Sequence, residues 1–274
     1  MYNIGLSAYG LKINEELFAA YKSAGISEME ISAPAHEHSF LNWKGIWEWG
    51  NRHNVGLWSY HLPYDPFDKL DISRKDLAEY SVAYLKELMK PACDVGIDKL
   101  VIHPSGEPIN DDERSERMLC AKESLAMLAE TAEKCGAKLA VEDLPRTCLG
   151  RNSEEIKELV SVHDNLYVCF DTNHLLYENQ MDFIRSVGNK IITVHISDYD
   201  FVDEKHWLPG EGKIDWSKVI ETFRQENYNG VWMYEVRLLS SVGFTRTRNL
   251  TCSDILRNAR ELFAGEKISL VPHL

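Results

Sequence analysis

Residues 115–145 read SERMLCAKESLAMLAETAEKCGAKLAVEDLP. From Ser115 to Gly136 the apolar residues recur at intervals of three and four and the run stops at a glycine, as an amphipathic helix does. After it, Lys138–Pro145 is a short β-rich run in which Leu139, Ala140 and Val141 give way to Glu142 and Asp143. One helix, one buried strand and an acid at the strand end form the unit from which the rest is read.

The unit recurs on both sides. Short β-rich segments stand at 2–9 (YNIGLSAY), 28–34 (EMEISAP), 55–62 (VGLWSYHL), 99–106 (KLVIHPSG), 138–145, 166–174 (LYVCFDTNH), 191–198 (IITVHISD) and 230–237 (GVWMYEVR). Between them lie helix-like stretches such as 74–96, RKDLAEYSVAYLKELMKPACDVG. Several of the strands are apolar for most of their length, which suits a parallel sheet covered by helices. Eight successive βα units predict an α/β chain with one (β/α)8 TIM barrel spanning residues 1–274. A doubly wound open sheet is the alternative, but no GxGxxG follows the first strand and no phosphate-binding Walker loop occurs.

Composition agrees with that size class. The 274 residues, 44% hydrophobic and 27% charged, suffice for one large core. No linker or low-complexity segment interrupts them, and the start MYNIGLSAYG has no basic region followed by an apolar run, so a cytoplasmic location is expected. Six cysteines without a CxxC pair are expected to be reduced thiols. The net charge of −13 disfavours nucleic acid as a partner, since a polyanion is repelled. No apolar run approaches the roughly 20 residues that span a bilayer.

Glu142, Asp171, His195 and Glu235 each fall near the C-terminal end of a predicted strand, which is where a barrel carries its chemistry. His61 and His103 hold similar positions on the third and fourth strands, and His174 follows Asp171 by three residues. Taken singly, a strand-end acid caps a helix or pairs with an arginine, and a lone histidine is a satisfied core residue. Carboxylates gathered at one mouth, however, repel each other and call for a cation. Three carboxylates with one imidazole are hard, oxygen-rich donors, so one divalent ion is expected, with Mn²⁺ favoured and Mg²⁺, Co²⁺ or Zn²⁺ as alternatives.

The stretch after His195, ISDYDFVDEKHWLPGEGKIDW, adds His206 and a Gly-Glu-Gly turn. Asp198 and Asp200 are expected to be polar loop residues, Glu211 a solvent-facing one, and Asp215 a helix N-cap. The segment 40–50, FLNWKGIWEWG, is expected to expose Trp43, Trp47 and Trp49 for self-association or for closing the pocket.

The motifs VED, FDTNH, VHISD, HWLPGEGKIDW and YEV, in that order, resemble the xylose-isomerase-like barrel superfamily over nearly the whole chain, specifically its sugar isomerases and sugar 3-epimerases. The resemblance implies that Glu142, Asp171, His195 and Glu235 bind the metal and that His174 contacts substrate. His61, His103, His174 and His206 also resemble the histidine set of the superfamily's zinc apurinic endonucleases, although Glu204 stands where that pattern has an aspartate.

The expected function is therefore a metal-dependent isomerase or epimerase of a small sugar or sugar phosphate. It would abstract a proton next to a carbonyl through a metal-stabilised cis-enediolate, with Glu142 and Glu235 as acid and base on the two faces of the substrate. His61, His103, His174, His206 and Arg237 are expected to contact that substrate, with Arg146, Arg151, Arg246 and Arg248 as weaker candidates for a phosphate or carboxylate. The alternatives are a multi-zinc phosphodiesterase of the abasic-site type and a non-catalytic sugar-binding barrel.

Overall fold

Six helices begin on a side chain that accepts a backbone N–H: Asn14, Asn42, Asn152, Asn179, Asp215 and Thr251 each satisfy one of the donors that a helix start leaves unpaired. Asp215 is thus the N-cap expected of it. The computed structural model describes residues 2–64 and 69–274. Within them, strands β1 (Ile4–Ser7), β2 (Glu28–Ile31), β3 (Gly56–His61), β4 (Lys99–Ile102), β5 (Lys138–Glu142), β6 (Leu166–Asp171), β7 (Ile191–His195) and β8 (Trp232–Tyr234) alternate with helices. The helices are α1 (Glu15–Ala24), α2 (Trp43–His53), α3 (Ala78–Asp94), α4 (Arg114–Lys134), α5 (Ser153–Val160), α6 (Gln180–Val187), α7 (Trp216–Gln225) and α8 (Cys252–Ala264).

The strand order is β7-β6-β5-β4-β3-β2-β1-β8, and the paired strands run parallel. A parallel bridge between Ile196 and Tyr234 joins the two ends, with Ile196 N donating to Met233 O at 2.8 Å and Glu235 N to Ile196 O at 3.1 Å. The ring closes, which makes the fold a (β/α)8 barrel rather than an open doubly wound sheet.

Period-2 alternation decides what each strand shows to the barrel interior. Leu139 and Val141 join the large core shared with the helices, whereas Ala140 packs with Val101 and Cys169 in a separate small cluster inside the ring. Two residues beyond each of these three stand Glu142, His103 and Asp171. The layer of the interior nearest the C-terminal mouth is therefore polar, and the layer beneath it is small and apolar.

Two irregularities tune this register. Between β2 and β3 the pairing shifts after Met29, so that Glu30 stands opposite Ser59. Between β6 and β7 it shifts after Val168, so that Asp171 stands opposite His195. Such bulges re-aim side chains beside functional sites.

The tryptophan segment departs from expectation. Trp43 packs edge-on against Tyr60 at 4.9 Å and Trp49 lies 6.1 Å from the Phe18 ring, leaving only Trp47 of the three exposed, at 51%. Helix α2 turns two of its indoles onto the core, because positions 43, 46, 49 and 50 share the inward face. All six cysteines are free thiols. Among the described residues, no helix is long and apolar enough to cross a membrane.

Candidate active site

Four donors meet at the barrel mouth. Glu142, Asp171 and His195 close strands β5, β6 and β7, Glu235 directly follows β8, and one ligand atom from each lies within 4.8 Å of the others. His195 Nδ1 is 2.9 Å from Glu142 Oε1, 3.6 Å from Glu235 Oε2 and 3.9 Å from Asp171 Oδ2. Asp171 Oδ1 accepts from Asn173 N at 2.8 Å, while its Oδ2 is buried with no hydrogen-bond partner among the described residues. Burial pushes the Glu235 carboxyl up. Burial also acts on Glu142, but His195 and His103 beside it outweigh that and hold its carboxyl well below the usual range.

Three other histidines are held by the main chain. His61 Nδ1 donates to Leu62 O at 2.8 Å, His174 Nδ1 to Asp143 O at 2.8 Å and His206 Nδ1 to Glu235 O at 3.2 Å. A carbonyl can only accept, so each ring is protonated on Nδ1 and turns Nε2 toward a carboxylate, whose charge favours a second proton there. His61 Nε2 reaches Glu142 Oε2 at 3.0 Å and His206 Nε2 reaches Glu204 Oε1 at 2.9 Å. His174 Nε2 stands farther off, 3.6 Å from Asp171 Oδ2 and 3.9 Å from Glu204 Oε1. His103 Nε2 is 3.1 Å from Glu142 Oε2, and its ring stacks on Tyr64 at 4.2 Å. Further groups among the described residues could also hold a cation, among them His61 with His103 and Glu142, and His174 with Glu204 and His206.

Except for Asp171 and His195, these side chains line one cavity of about 270 Å³. Glu142, Glu235 and the four histidines form its polar side, and Leu70, Ile72, Ile102 and Leu144 its apolar side. Arg146 closes part of the rim: it forks onto Glu107 and also pairs with Asp203 at 2.8 Å and Glu204 at 3.0 Å, tying together the loops after β4, β5 and β7.

Not every expected residue arrives. Arg237 does not line the cavity; its Nη2 donates to Tyr9 Oη at 2.9 Å, and Tyr9 is the residue that faces the ligand space. Burial pushes the Tyr9 phenol up to about 12. Arg246, Arg248 and Arg151 are engaged with Glu211, Asp254 and Glu155. The Glu211 side chain, expected in solvent, is instead fully buried, and the buried Arg246 guanidinium binds both its oxygens. Asp198 is likewise interior: it accepts from the backbone of Tyr199, Gly210 and Ile214 and from Trp216 Nε1, and so shapes the loop. Gly212 is needed there, since a Cβ would fall 2.2 Å from Asp198 Oδ1 and 2.3 Å from Tyr199 O. Asp200 stays a loop residue that accepts from Val202 N and Asp203 N.

Sequence reasoning also missed Glu30, Tyr9, Tyr64 and the role of Glu204. Glu30 had a signal: in EMEI the apolar Met29 and Ile31 face the helices, which turns Glu30 inward.

Comparison with known proteins agrees with this architecture. An uncharacterised protein of Methanocaldococcus jannaschii is 27% identical over 205 residues, 72% of this chain and 69% of its own length. The D-psicose 3-epimerase of Enterocloster bolteae is 28% identical over 136 residues, 46% of this chain and 42% of that one. A solved D-tagatose 3-epimerase-like protein superposes with a TM-score of 0.81, at 23% identity and 96% coverage of both chains, a likeness of fold. Residues 18–248, which run from within α1 to the loop after β8, match one family description, and on that match the chain belongs to the xylose isomerase-like TIM barrel family.

Proposed function

We propose that the chain is a metal-dependent isomerase or epimerase of a small sugar. The observation that carries this is the convergence of Glu142, Asp171, His195 and Glu235 on one point, with Glu142 and Glu235 in the cavity wall. The donors suit a divalent cation: three carboxylates compensate its charge, and the buried Asp171 Oδ2 is an acceptor that no donor among the described residues fills. Oxygen-rich donors favour Mn²⁺. Bound there, the ion would supply positive charge where a substrate oxygen becomes an anion. Glu142 and Glu235 both border the cavity, and each can take or return a proton at a carbon beside a carbonyl. His61, His103, His174 and His206 offer ring nitrogens to hydroxyl groups, while the apolar wall excludes water. The E. bolteae D-psicose 3-epimerase, related by sequence, gives the reading its sugar class.

The test is exchange of substrate hydrogen with solvent deuterium in metal-loaded protein, across a panel of ketoses and their phosphates. Exchange at the carbon next to the carbonyl is expected for at least one sugar. None across the panel, with metal bound, would leave a binding barrel. Asp171→Asn is expected to weaken metal affinity by roughly 10-fold or more and to lower activity with it, since the orphaned oxygen becomes a donor. Asp215→Asn should leave both unchanged, because Asn also caps helices. Equal losses, measured by titration calorimetry and by turnover, would mean that the site is misplaced.

A second reading is favoured by further His-carboxylate groups, His61 with His103 and Glu142 and His174 with Glu204 and His206 among them, which would suit a multi-zinc phosphodiesterase. Elemental analysis separates the two: about one ion per chain supports the isomerase, and three zincs support the hydrolase.

A further inference from the structure

His195 has a second ring nitrogen, and it points away from the cavity. Its Nε2 lies 3.0 Å from Glu30 Oε2, an oxygen that also accepts from Ser59 Oγ at 2.8 Å. All three residues are fully buried. Glu30 comes from β2 and Ser59 from β3, and the register shift between these strands is what sets them opposite each other. Glu30 Oε1 meets no donor among the described residues. The carboxylate has no arginine or lysine partner among the described residues, so its contacts are the Ser59 hydroxyl and the imidazole. A carboxylate buried inside a barrel is costly without a hydrogen-bonded partner.

The contrast with the other histidines gives the arrangement its meaning. His61, His174 and His206 are oriented by backbone carbonyls through Nδ1 and offer Nε2. His195 is turned the other way, offering Nδ1 to Glu142, Asp171 and Glu235, and its orienting partner is a carboxylate. A carboxylate behind a metal-bound imidazole fixes the tautomer and makes the ring a stronger donor.

We propose that Glu30 is the positioning residue of the metal centre: it keeps the His195 proton on Nε2 and thereby presents Nδ1, with its lone pair free, to the cation. The proposal rests on the metal-binding reading above. Glu30 touches neither the cavity nor a substrate, so its influence passes through His195.

The experiment uses the full chain stripped of metal, with Mn²⁺ titrated into wild type, Glu30→Gln and Glu30→Ala. A second measurement takes ¹⁵N-histidine spectra of the Zn²⁺-loaded forms. Glu30→Ala is expected to bind Mn²⁺ about 10- to 100-fold more weakly. Glu30→Gln keeps the acceptor and the volume but drops the charge, so it should fold as wild type does and lose roughly 3-fold or more. In the spectra, wild type and Glu30→Gln should show His195 protonated on Nε2 with Nδ1 on the metal, and Glu30→Ala should lose the sheltered Nε2–H signal. If Glu30→Ala does not fold, Glu30→Gln and the wild-type tautomer still decide. Affinity of both variants within 2-fold of wild type, or a wild-type His195 that binds zinc through Nε2, overturns the proposal alone. A wild type that binds neither Mn²⁺ nor Zn²⁺ removes the metal reading and the proposal with it.

Discussion

Glu142→Gln and Glu235→Gln are each expected to lower turnover by more than about 10²-fold at saturating metal, the low end for a positioned acid or base with loss of a metal ligand added. The two carboxylates come from strands three places apart around the ring, yet both reach His195 Nδ1, Glu142 at 2.9 Å and Glu235 at 3.6 Å. A sugar carbon held at that point could lose a proton to one and regain it from the other. Glutamine keeps the volume and one oxygen but can no longer take a proton. Following solvent-to-substrate deuterium exchange beside product formation separates the roles, because a variant lacking only the returning group should still exchange hydrogen while forming little product. Near-normal turnover in both fully metal-loaded variants would rule out the pair, and His103 or His174 would then be tested as the proton carrier.

The second large effect concerns stability. Glu211→Gln is expected to destabilise the fold by about 3–5 kcal/mol, the usual cost of removing one partner from a buried ion pair. The Arg246 side chain is 4% exposed and that of Glu211 0%, and the guanidinium meets the two carboxylate oxygens at 2.8 and 2.6 Å. Without the charge, Arg246 retains only the carbonyls of Arg237 and Ser240, each at 3.1 Å, as other acceptors. For a chain of this length the loss corresponds to a melting point lower by roughly 6–20 °C. Glu211→Leu combined with Arg246→Met removes both charges and should recover most of it. A single variant melting within about 2 °C of wild type would show that the pair is solvated in solution.

The carboxylate and histidine cluster was legible in the sequence through residues whose place depends on strand periodicity. Glu142, Asp171 and His195 end apolar runs, so both their strand and their position at its end could be read from the chain. Glu30 follows the same rule and was accessible by the same reading, although its pairing with Ser59 depends on a register shift that no local pattern announces. Glu211 was not accessible. A Gly-Glu-Gly turn reads as solvent-exposed, and its buried partner is Arg246, 35 positions away in the β8–α8 loop. Arg237 fails for a related reason: its number places it beside the cavity, but the side-chain direction that hands the contact to Tyr9 exists only in three dimensions.

The pairing of β1 with β8, Ile4 beside Trp232, has a consequence for how the protein is made. The ring cannot close until residues 232–234 have left the ribosome, and at typical synthesis rates that delay lasts on the order of tens of seconds. Throughout it, β1 and later β7 present bare parallel edges that invite pairing with other chains. Glu235, adjoining the last strand, completes the carboxylate cluster as the final edge is sealed. A cation captured there would bind only the closed ring, so metal supply during expression should govern how much of the nascent chain escapes aggregation.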